Sequence, residues 1–245
     1  MKTALITGAS GAIGLEMVKI FARNGYFITA QYNKKGENLF NLIEELKKEN
    51  IENQIMPVKA DFSVSQSIEN LYFEHIKTYS HVDVLINNAG VDFYAQVQDL
   101  KECDYQRVFD INVKAPMLLT SLCAKNMVER KSGKIIFISS IWGVNGGSYE
   151  SLYSASKSSL IAYSKALAKE LGPSNINVNC ICPGVIKSPM NDGYTEEEIQ
   201  DLIDRTPLGK IGSPSDVGEL ALFLSSEKSN FITGQSIVID GGFIL

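Results

Sequence analysis

Short runs rich in β-branched and aromatic residues alternate with longer amphipathic stretches along all 245 residues, and this alternation restricts the fold more than any other feature. Residues 3–7, 27–32, 54–59, 82–87, 134–139, 176–181 and 236–239 read as strands. Residues 13–24, 37–50, 65–79, 102–130, 153–171 and 214–225 read as helices; in the fifth of these, Leu160, Ser164, Leu167 and Leu171 recur at helical spacing. Strands separated by helices pair in parallel, and right-handed crossovers wind them into an open sheet covered on both faces. The expectation is an α/β fold, a doubly wound parallel sheet of about seven strands. With no linker, composition break or short repeat, residues 1–245 read as a single domain.

The composition removes several functions. Lysine and arginine number 23 against 28 aspartates and glutamates, a net charge of −5. A nucleic-acid binder needs a basic face to meet phosphates, and this balance opposes one. No apolar run approaches the ~20 residues that span a bilayer. The opening Met1-Lys2-Thr3-Ala4-Leu5-Ile6-Thr7-Gly8 lacks the long apolar region of a signal peptide, so a cytoplasmic protein is expected, without a membrane partner. The cysteines Cys103, Cys123, Cys180 and Cys182 form no Cys-x-x-Cys pair and read as thiols packed in a reducing compartment. The two histidines, His75 and His81, stand close together, which makes a Ser-His-Asp hydrolase or a His-rich zinc site hard to assemble, and no metal is expected.

Three groups of residues carry chemistry. The first strand ends in Thr7-Gly8-Ala9-Ser10-Gly11-Ala12-Ile13-Gly14. Glycines at a strand-to-helix turn let the backbone approach a pyrophosphate, and the helix start offers free N–H groups. Tight turns need glycine anyway, so the turn alone is weak. After the third strand, Asp61 either accepts the amino group of an adenine or caps the next helix; after the fourth, Asn87-Asn88-Ala89-Gly90 suits a ligand crevice or a plain turn. Finally, Tyr153 and Lys157 are four apart on one helical face, with Ser140 at the end of the fifth strand. A free tyrosine titrates near ~10, and a lysine cation beside it lowers that value. Tyr153 can then donate a proton to a carbonyl oxygen during hydride delivery, with Ser140 hydrogen-bonding the same oxygen. Ten tyrosines and nineteen lysines make about one such pair expected by chance, so its company decides its meaning.

That company resembles a known family. Thr7 to Gly14, Asn87 to Gly90, Asn112, Ser140, Tyr153-Ser154-Ala155-Ser156-Lys157 and Pro183-Gly184 stand in the order and spacing of the classical short-chain dehydrogenases/reductases, over essentially the whole chain. The tail segments Pro207-Leu208-Gly209-Lys210-Ile211-Gly212, Ile232-Thr233-Gly234-Gln235 and Asp240-Gly241-Gly242 resemble the 3-oxoacyl-[acyl-carrier-protein] reductase branch, although many sugar, steroid and alcohol dehydrogenases share them. The resemblance implies a Rossmann-type domain and nicotinamide-dependent reduction of a 3-oxoacyl thioester in fatty acid biosynthesis. It also implies a homotetramer paired through the helices around 102–130 and 153–171, with Phe243-Ile244-Leu245 buried at an interface.

By the same resemblance Tyr153 is the acid–base, Lys157 lowers its pKa and holds the nicotinamide ribose, Ser140 orients the carbonyl, and Asn112 supports a water relay to Lys157. The cofactor would lie on Gly8, Ser10, Gly11, Ile13 and Gly14, on Asp61 and Phe62, and on Asn88, Ala89 and Gly90. Its nicotinamide end would meet Pro183, Gly184, Ile186 and Ser188, the last in place of the usual threonine. Ala12 replaces the family's middle glycine, and Gly11 stands where many NADP-dependent members carry arginine. At the end of the second strand Tyr32 stands where NAD-dependent members place an aspartate, and Asn33 with Lys34 or Lys35 can meet a 2′-phosphate; NADPH is expected, with NADH possible.

The substrate would be a small-molecule or acyl-carrier-protein-bound carbonyl compound, in a pocket built from residues 91–94, 141–151 and a lid over 188–205. The charge run Glu196-Glu197-Glu198 in that stretch is either a solvated helix start or part of the mobile lid. Trp142 and Tyr149 either line that pocket or pack the lid. Arg130, Lys131 and Lys134 form a basic cluster that either docks an acidic carrier protein or is a solvated helix end. A dehydrogenase of a free sugar, steroid or other secondary alcohol is the alternative. A non-catalytic dinucleotide sensor is the remote one, opposed by the retention of all four catalytic positions.

Overall fold

In the computed structural model, residues 1–51, 54–188 and 193–244 are described. The strands are β1 (Lys2–Ile6), β2 (Tyr26–Tyr32), β3 (Ile55–Lys59), β4 (Val84–Asn87), β5 (Gly133–Ile138), β6 (Ile176–Pro183) and β7 (Ser236–Ile239). They form one parallel sheet in the order β3-β2-β1-β4-β5-β6-β7, the single-domain doubly wound fold expected. The winding reverses between β1 and β4, which opens a crevice at the C-terminal edge of the sheet.

Helices α1 (Ala12–Arg23), α2 (Glu37–Lys47) and α9 (Pro214–Ser225) cover one face; α3 (Ser65–Tyr79), α5 (Ala115–Arg130) and α7 (Ser151–Leu171) cover the other. Strand residues alternate between the two layers. Ala4, Ile6, Val84, Ile86, Ile136 and Ile138 pack beneath the first set, while Leu5, Leu85, Ile135 and Phe137 pack beneath the second. All are buried, so the central strands read as continuous apolar runs, as a sheet covered on both faces requires. No helix among the described residues is long and apolar enough to cross a membrane.

Two departures from the sequence reading, and one alternative now decided, bear on the site. Residues 102–130 are not one helix: α4 (Glu102–Phe109) passes into a π-helical turn, Asp110–Lys114, before α5 begins. Pro116, near the start of α5, has no N–H to return to the carbonyl of Asn112, and its ring crowds that carbonyl. The backbone widens there instead. Residues 141–145, read as loop, form α6 (Ile141–Asn145), with the Ser140 hydroxyl accepting from the Trp142 N–H. Within residues 188–205, α8 (Glu196–Asp204) starts at a reciprocal Thr195–Glu198 capping box, so the charge run is a helix start. Residues 189–192 of that stretch, and Leu245 of the apolar end, lie outside the described residues.

Candidate active site

The glycine turn after β1 is shaped by contact. Gly8 has φ +64°, and a Cβ there would stand 2.8 Å from Ala89 Cα; a Cβ on Gly14 would stand 2.1 Å from the Gly8 carbonyl oxygen. Only glycine lets β1, the β4 end and α1 approach this closely. At Gly11 a Cβ would meet nothing nearer than 3.5 Å, so that position has room for a side chain. Gly11 is the N-cap of α1 and supplies no side-chain cap, and no acid sits in the first turn. The positive end of α1, with its unsatisfied N–H groups, is therefore available to an anion at the crevice. These features fit a dinucleotide's pyrophosphate.

Gln31, which the sequence reading passed over, and Thr7, which opens the motif, hold this turn. Gln31, only 3% exposed within β2, accepts from the Gly8 N–H (2.8 Å) and donates to the Ala60 carbonyl (2.8 Å), while its own carbonyl accepts from the Ala9 N–H (2.7 Å). One residue thus ties together the ends of β1, β2 and β3. The available signal was a glutamine inside an apolar strand, which burial obliges to find partners. The Thr7 hydroxyl accepts from the N–H groups of Asn88 and Ala89, both at 2.9 Å, and the Asn88 amide donates to the carbonyls of Thr7 (2.9 Å) and Gly8 (3.2 Å).

On the adenosine side, Asp61 accepts from the Ser63 N–H (3.0 Å) and hydroxyl (2.8 Å). It makes a turn rather than capping α3, whose N-cap is Val64. Those bonds, with a smaller contribution from the Lys34 charge, hold its carboxyl below the usual range. The Phe62 ring is buried in the core, so this residue would meet a ligand through its backbone. Asn33 is half-buried and Lys34 exposed just beyond β2, and the Tyr32 ring packs edge-on against Phe40 at 5.5 Å.

Ser140, Tyr153, Lys157 and Asn112 gather at the ends of β4 and β5. Ser140 follows β5 as the N-cap of α6, near enough to the Tyr153 phenol to favour its charged form. Lys157 is buried one turn further along α7, with Nζ donating to the Ile138 carbonyl (2.9 Å) and 5.7 Å from the Tyr153 ring centre. The neighbouring Ser139 hydroxyl donates to the Lys157 carbonyl (2.8 Å), fixing α7 to the strand end. Asn112, fully buried in the π-helical turn, accepts from the Val91 N–H and donates to the Val91 carbonyl, both at 2.8 Å, and to the Ser156 hydroxyl (3.0 Å). A Cβ on Gly90 would lie 3.1 Å from Lys157 Nζ and 3.3 Å from Asn112 Oδ1, so both groups flank the same small residue.

One expectation is reversed. Burial pushes the Tyr153 phenol above its ordinary value, against the influence of Ser140, and the charges of Glu150 and Asp92 push the same way. The causes that set it are led by burial, and Lys157, whose ammonium donates to the Ile138 carbonyl, is not among them. Burial in turn brings Lys157 down to about 8.

A family model for the short chain dehydrogenases matches residues 2–199. The chain belongs to the short-chain dehydrogenase family. It is 34% identical over 244 residues to the 3-oxoacyl-[acyl-carrier-protein] reductase of Thermotoga maritima, covering 100% of this chain and 98% of that protein. The corresponding reductase of Rickettsia typhi is 35% identical over 246 residues, with 100% and 97% covered. An uncharacterized oxidoreductase of Bacillus subtilis, YmfI, is 34% identical over 243 residues, with 99% and 98% covered. This short-chain dehydrogenase is thus an oxidoreductase of CH–OH and C=O groups that resembles the 3-oxoacyl reductase branch, and the family implies a nicotinamide cofactor.

At the other end of the crevice, Pro183 closes β6 and a Cβ on Gly184 would stand 2.6 Å from Asp240 Cβ, so glycine brings the tail segment against the strand end. Ile186 is buried and pairs with Gly212, and Ser188 is half-buried. Trp142 packs edge-on to Phe243 at 6.2 Å, and Arg205 lies 4.9 Å over the Phe243 ring, so the chain end covers this dehydrogenase's own α6. The basic cluster is elsewhere. Arg130, Lys131 and Lys134 lie at the start of β5, while the site lies past its end; six residues at ~3.3 Å each put roughly 20 Å between them. Arg130 pairs with Asp83 at 2.5 Å, and Lys134 donates to Asn177 (2.9 Å) and Asn230 (2.7 Å). A docking surface at the site mouth cannot be built from them.

Proposed function

We propose that this short-chain dehydrogenase reduces the ketone of a 3-oxoacyl thioester to the 3-hydroxyacyl form, with NADPH as the preferred reductant. The observation that carries the reading is the gathering of Ser140, Tyr153 and Lys157 at the sheet's C-terminal edge, Lys157 Nζ lying 5.7 Å from the Tyr153 ring centre, with the open N-terminus of α1 across the crevice. When bound, the nicotinamide supplies a hydride to the carbonyl carbon. Tyr153 transfers its phenolic proton to the carbonyl oxygen as charge gathers there, and in the oxidative direction the phenolate takes that proton back. A phenol held above its ordinary pKa is protonated at neutral pH, which is the form that reduction needs. Ser140 donates to the same oxygen. Lys157 would hold the ribose hydroxyls of the bound cofactor, with its ammonium beside Tyr153. Asn112 holds Val91 and Ser156 and so fixes both walls of the site.

Gly8, Ser10, Gly11, Ile13 and Gly14 would cradle the pyrophosphate. Asp61, Phe62 and residues Asn88 to Gly90 would hold the adenosine side, and Pro183, Gly184, Ile186 and Ser188 the carboxamide end. Tyr32 in place of an acid, and Lys34 near enough to act on Asp61, support a 2′-phosphate. The relatives' names support the acyl substrate. Residues 188–205 serve as a lid over the substrate, and free thiols fit a reducing cytoplasm. A groove of about 360 Å³ lined by Phe109, Val113, Met117 and Leu118 supports pairing of α4 and α5 with a second copy in a homotetramer.

The test offers acetoacetyl carrier protein and a short acetoacetyl thioester with each reduced cofactor. Reduction of the thioester, with tighter binding of NADPH than NADH at one ionic strength, is expected. If neither is reduced while a free secondary alcohol is oxidised well, the acyl reading fails; tighter NADH binding overturns the cofactor choice.

A further inference from the structure

The end of β5 grips Lys157 at both ends of that residue. The Ile138 carbonyl accepts from its ammonium at 2.9 Å, and the Ser139 hydroxyl donates to its main-chain carbonyl at 2.8 Å. The Ser139 N–H donates in turn to the Ile181 carbonyl of β6 (2.8 Å). Ser139 is thus fixed to the sheet while its side chain reaches α7, and Ile138, Ser139 and Lys157 are all buried.

Local needs do not explain this bond. A serine hydroxyl ordinarily bonds its own backbone neighbourhood, as Ser140 does in accepting from the Trp142 N–H at 3.1 Å. Ser139 instead reaches a residue 18 positions away. Nor does α7 depend on it, since a carbonyl inside a helix meets an N–H of the same helix one turn on. The bond adds a tie between strand and helix at the residue whose far end must reach the crevice. A lysine ammonium rides on a flexible four-carbon stem, so its place depends on where the main chain beneath it is held. The short helix α6 closes over the tie. A Cβ on Gly143 would stand 2.7 Å from Ser139 Oγ and 2.9 Å from the Lys157 carbonyl carbon, so glycine lets α6 lie against the bonded pair.

We propose that Ser139 is a positioning residue for Lys157, its hydroxyl setting how α7 seats against the end of β5 and so where the ammonium stands in the crevice. Gly143 serves the same contact by leaving it room. The role rests on Lys157 holding the cofactor's ribose, as proposed above.

A double-mutant cycle tests it, with calorimetry reading the dissociation constant of NADPH in the parent, Ser139→Ala, Lys157→Ala and the double variant. Ser139→Ala is expected to raise the constant about 5-fold, the usual worth of one hydrogen bond. It should also lower kcat by at least ~10-fold through a misplaced lysine, with the ketone's KM unchanged. In the Lys157→Ala background the same substitution should leave the constant where it was, because Ser139 acts through the lysine. Gly143→Ala, which wedges the pair apart with the hydroxyl retained, should repeat the losses of Ser139→Ala. Melting curves establish that each variant is folded. A factor carried undiminished into the Lys157→Ala background overturns the proposal, as does a Ser139→Ala protein with the parent's constant and kcat. Cofactor binding is read without a substrate, so thioesters that go unreduced leave the positioning role standing. If Lys157→Ala itself binds NADPH as the parent does, the ribose contact fails, and an unchanged kcat in Ser139→Ala then overturns the positioning role too.

Discussion

His75 lies fully buried on α3, where Thr29 of β2 and the carbonyl of His81 hold its ring. A carbonyl only accepts, so Nε2 carries the proton and donates at 2.9 Å, leaving Nδ1 to accept from the Thr29 hydroxyl at 2.7 Å. Burial brings this histidine down from 6.5 to about 4. The unfolded chain therefore binds the proton first, and the stability this neutral ring contributes is fully present above pH 6.5 and is lost as pH falls toward 4. The shift corresponds to about 3 kcal/mol. Urea unfolding at pH 7 and pH 4.5 should show His75→Gln, which cannot take up that proton, losing less stability on acidification than the parent. An equal loss in both would move the acid sensitivity to Asp83 and the other carboxylates. The sequence placed both histidines close together and gave neither a role, because which one would be buried depends on α3 lying across β2.

Among the elements, those with strong periodicity or clear punctuation were legible. Residues 65–79, 214–225 and 236–239 were read at their observed bounds. Most other ends moved by one to three residues, where fraying turns carry no periodic signal. The π-helical turn was missed because the apolar pattern runs through it; the informative residue was Pro116, whose absent N–H leaves the Asn112 carbonyl without its helical donor. Pro116→Ala is expected to let the turn tighten toward α-helix, draw Asn112 from Val91 and Ser156, and lower kcat by at least ~10-fold without lowering Tm. Unchanged kcat would leave the widened turn with no bearing on the site. The segments of the candidate site were recognised by their order, whereas Gln31 was not, since its three bonds join elements far apart in sequence. Gln31→Leu strands the Gly8 N–H and the Ala60 carbonyl, each costing about 1–3 kcal/mol when buried unpaired. Calorimetry should show the dissociation constant for the cofactor raised at least ~10-fold, with a smaller effect on kcat; an unchanged constant would reduce Gln31 to a packing residue.

For the whole molecule, the parallel sheet places every functional segment at one edge, because each β-to-α turn emerges there. The same geometry carries the basic cluster at 130–134 to the opposite edge, which the linear sequence does not reveal without the strand direction. Exposed Leu118 and Phe109 on the α4–α5 face suit an assembly. Sedimentation should show a tetramer in the parent and smaller species in Leu118→Glu; a monomeric parent would contradict that arrangement. Proton transfer from Tyr153 is tested by stopped-flow single turnover of the reduced cofactor with a ketone in the parent and in Tyr153→Phe. The expected result is unaltered cofactor binding with oxidation of the cofactor slowed by at least ~10²-fold, the scale of a positioned acid. A Tyr153→Phe protein that turns over near the parent rate would contradict it.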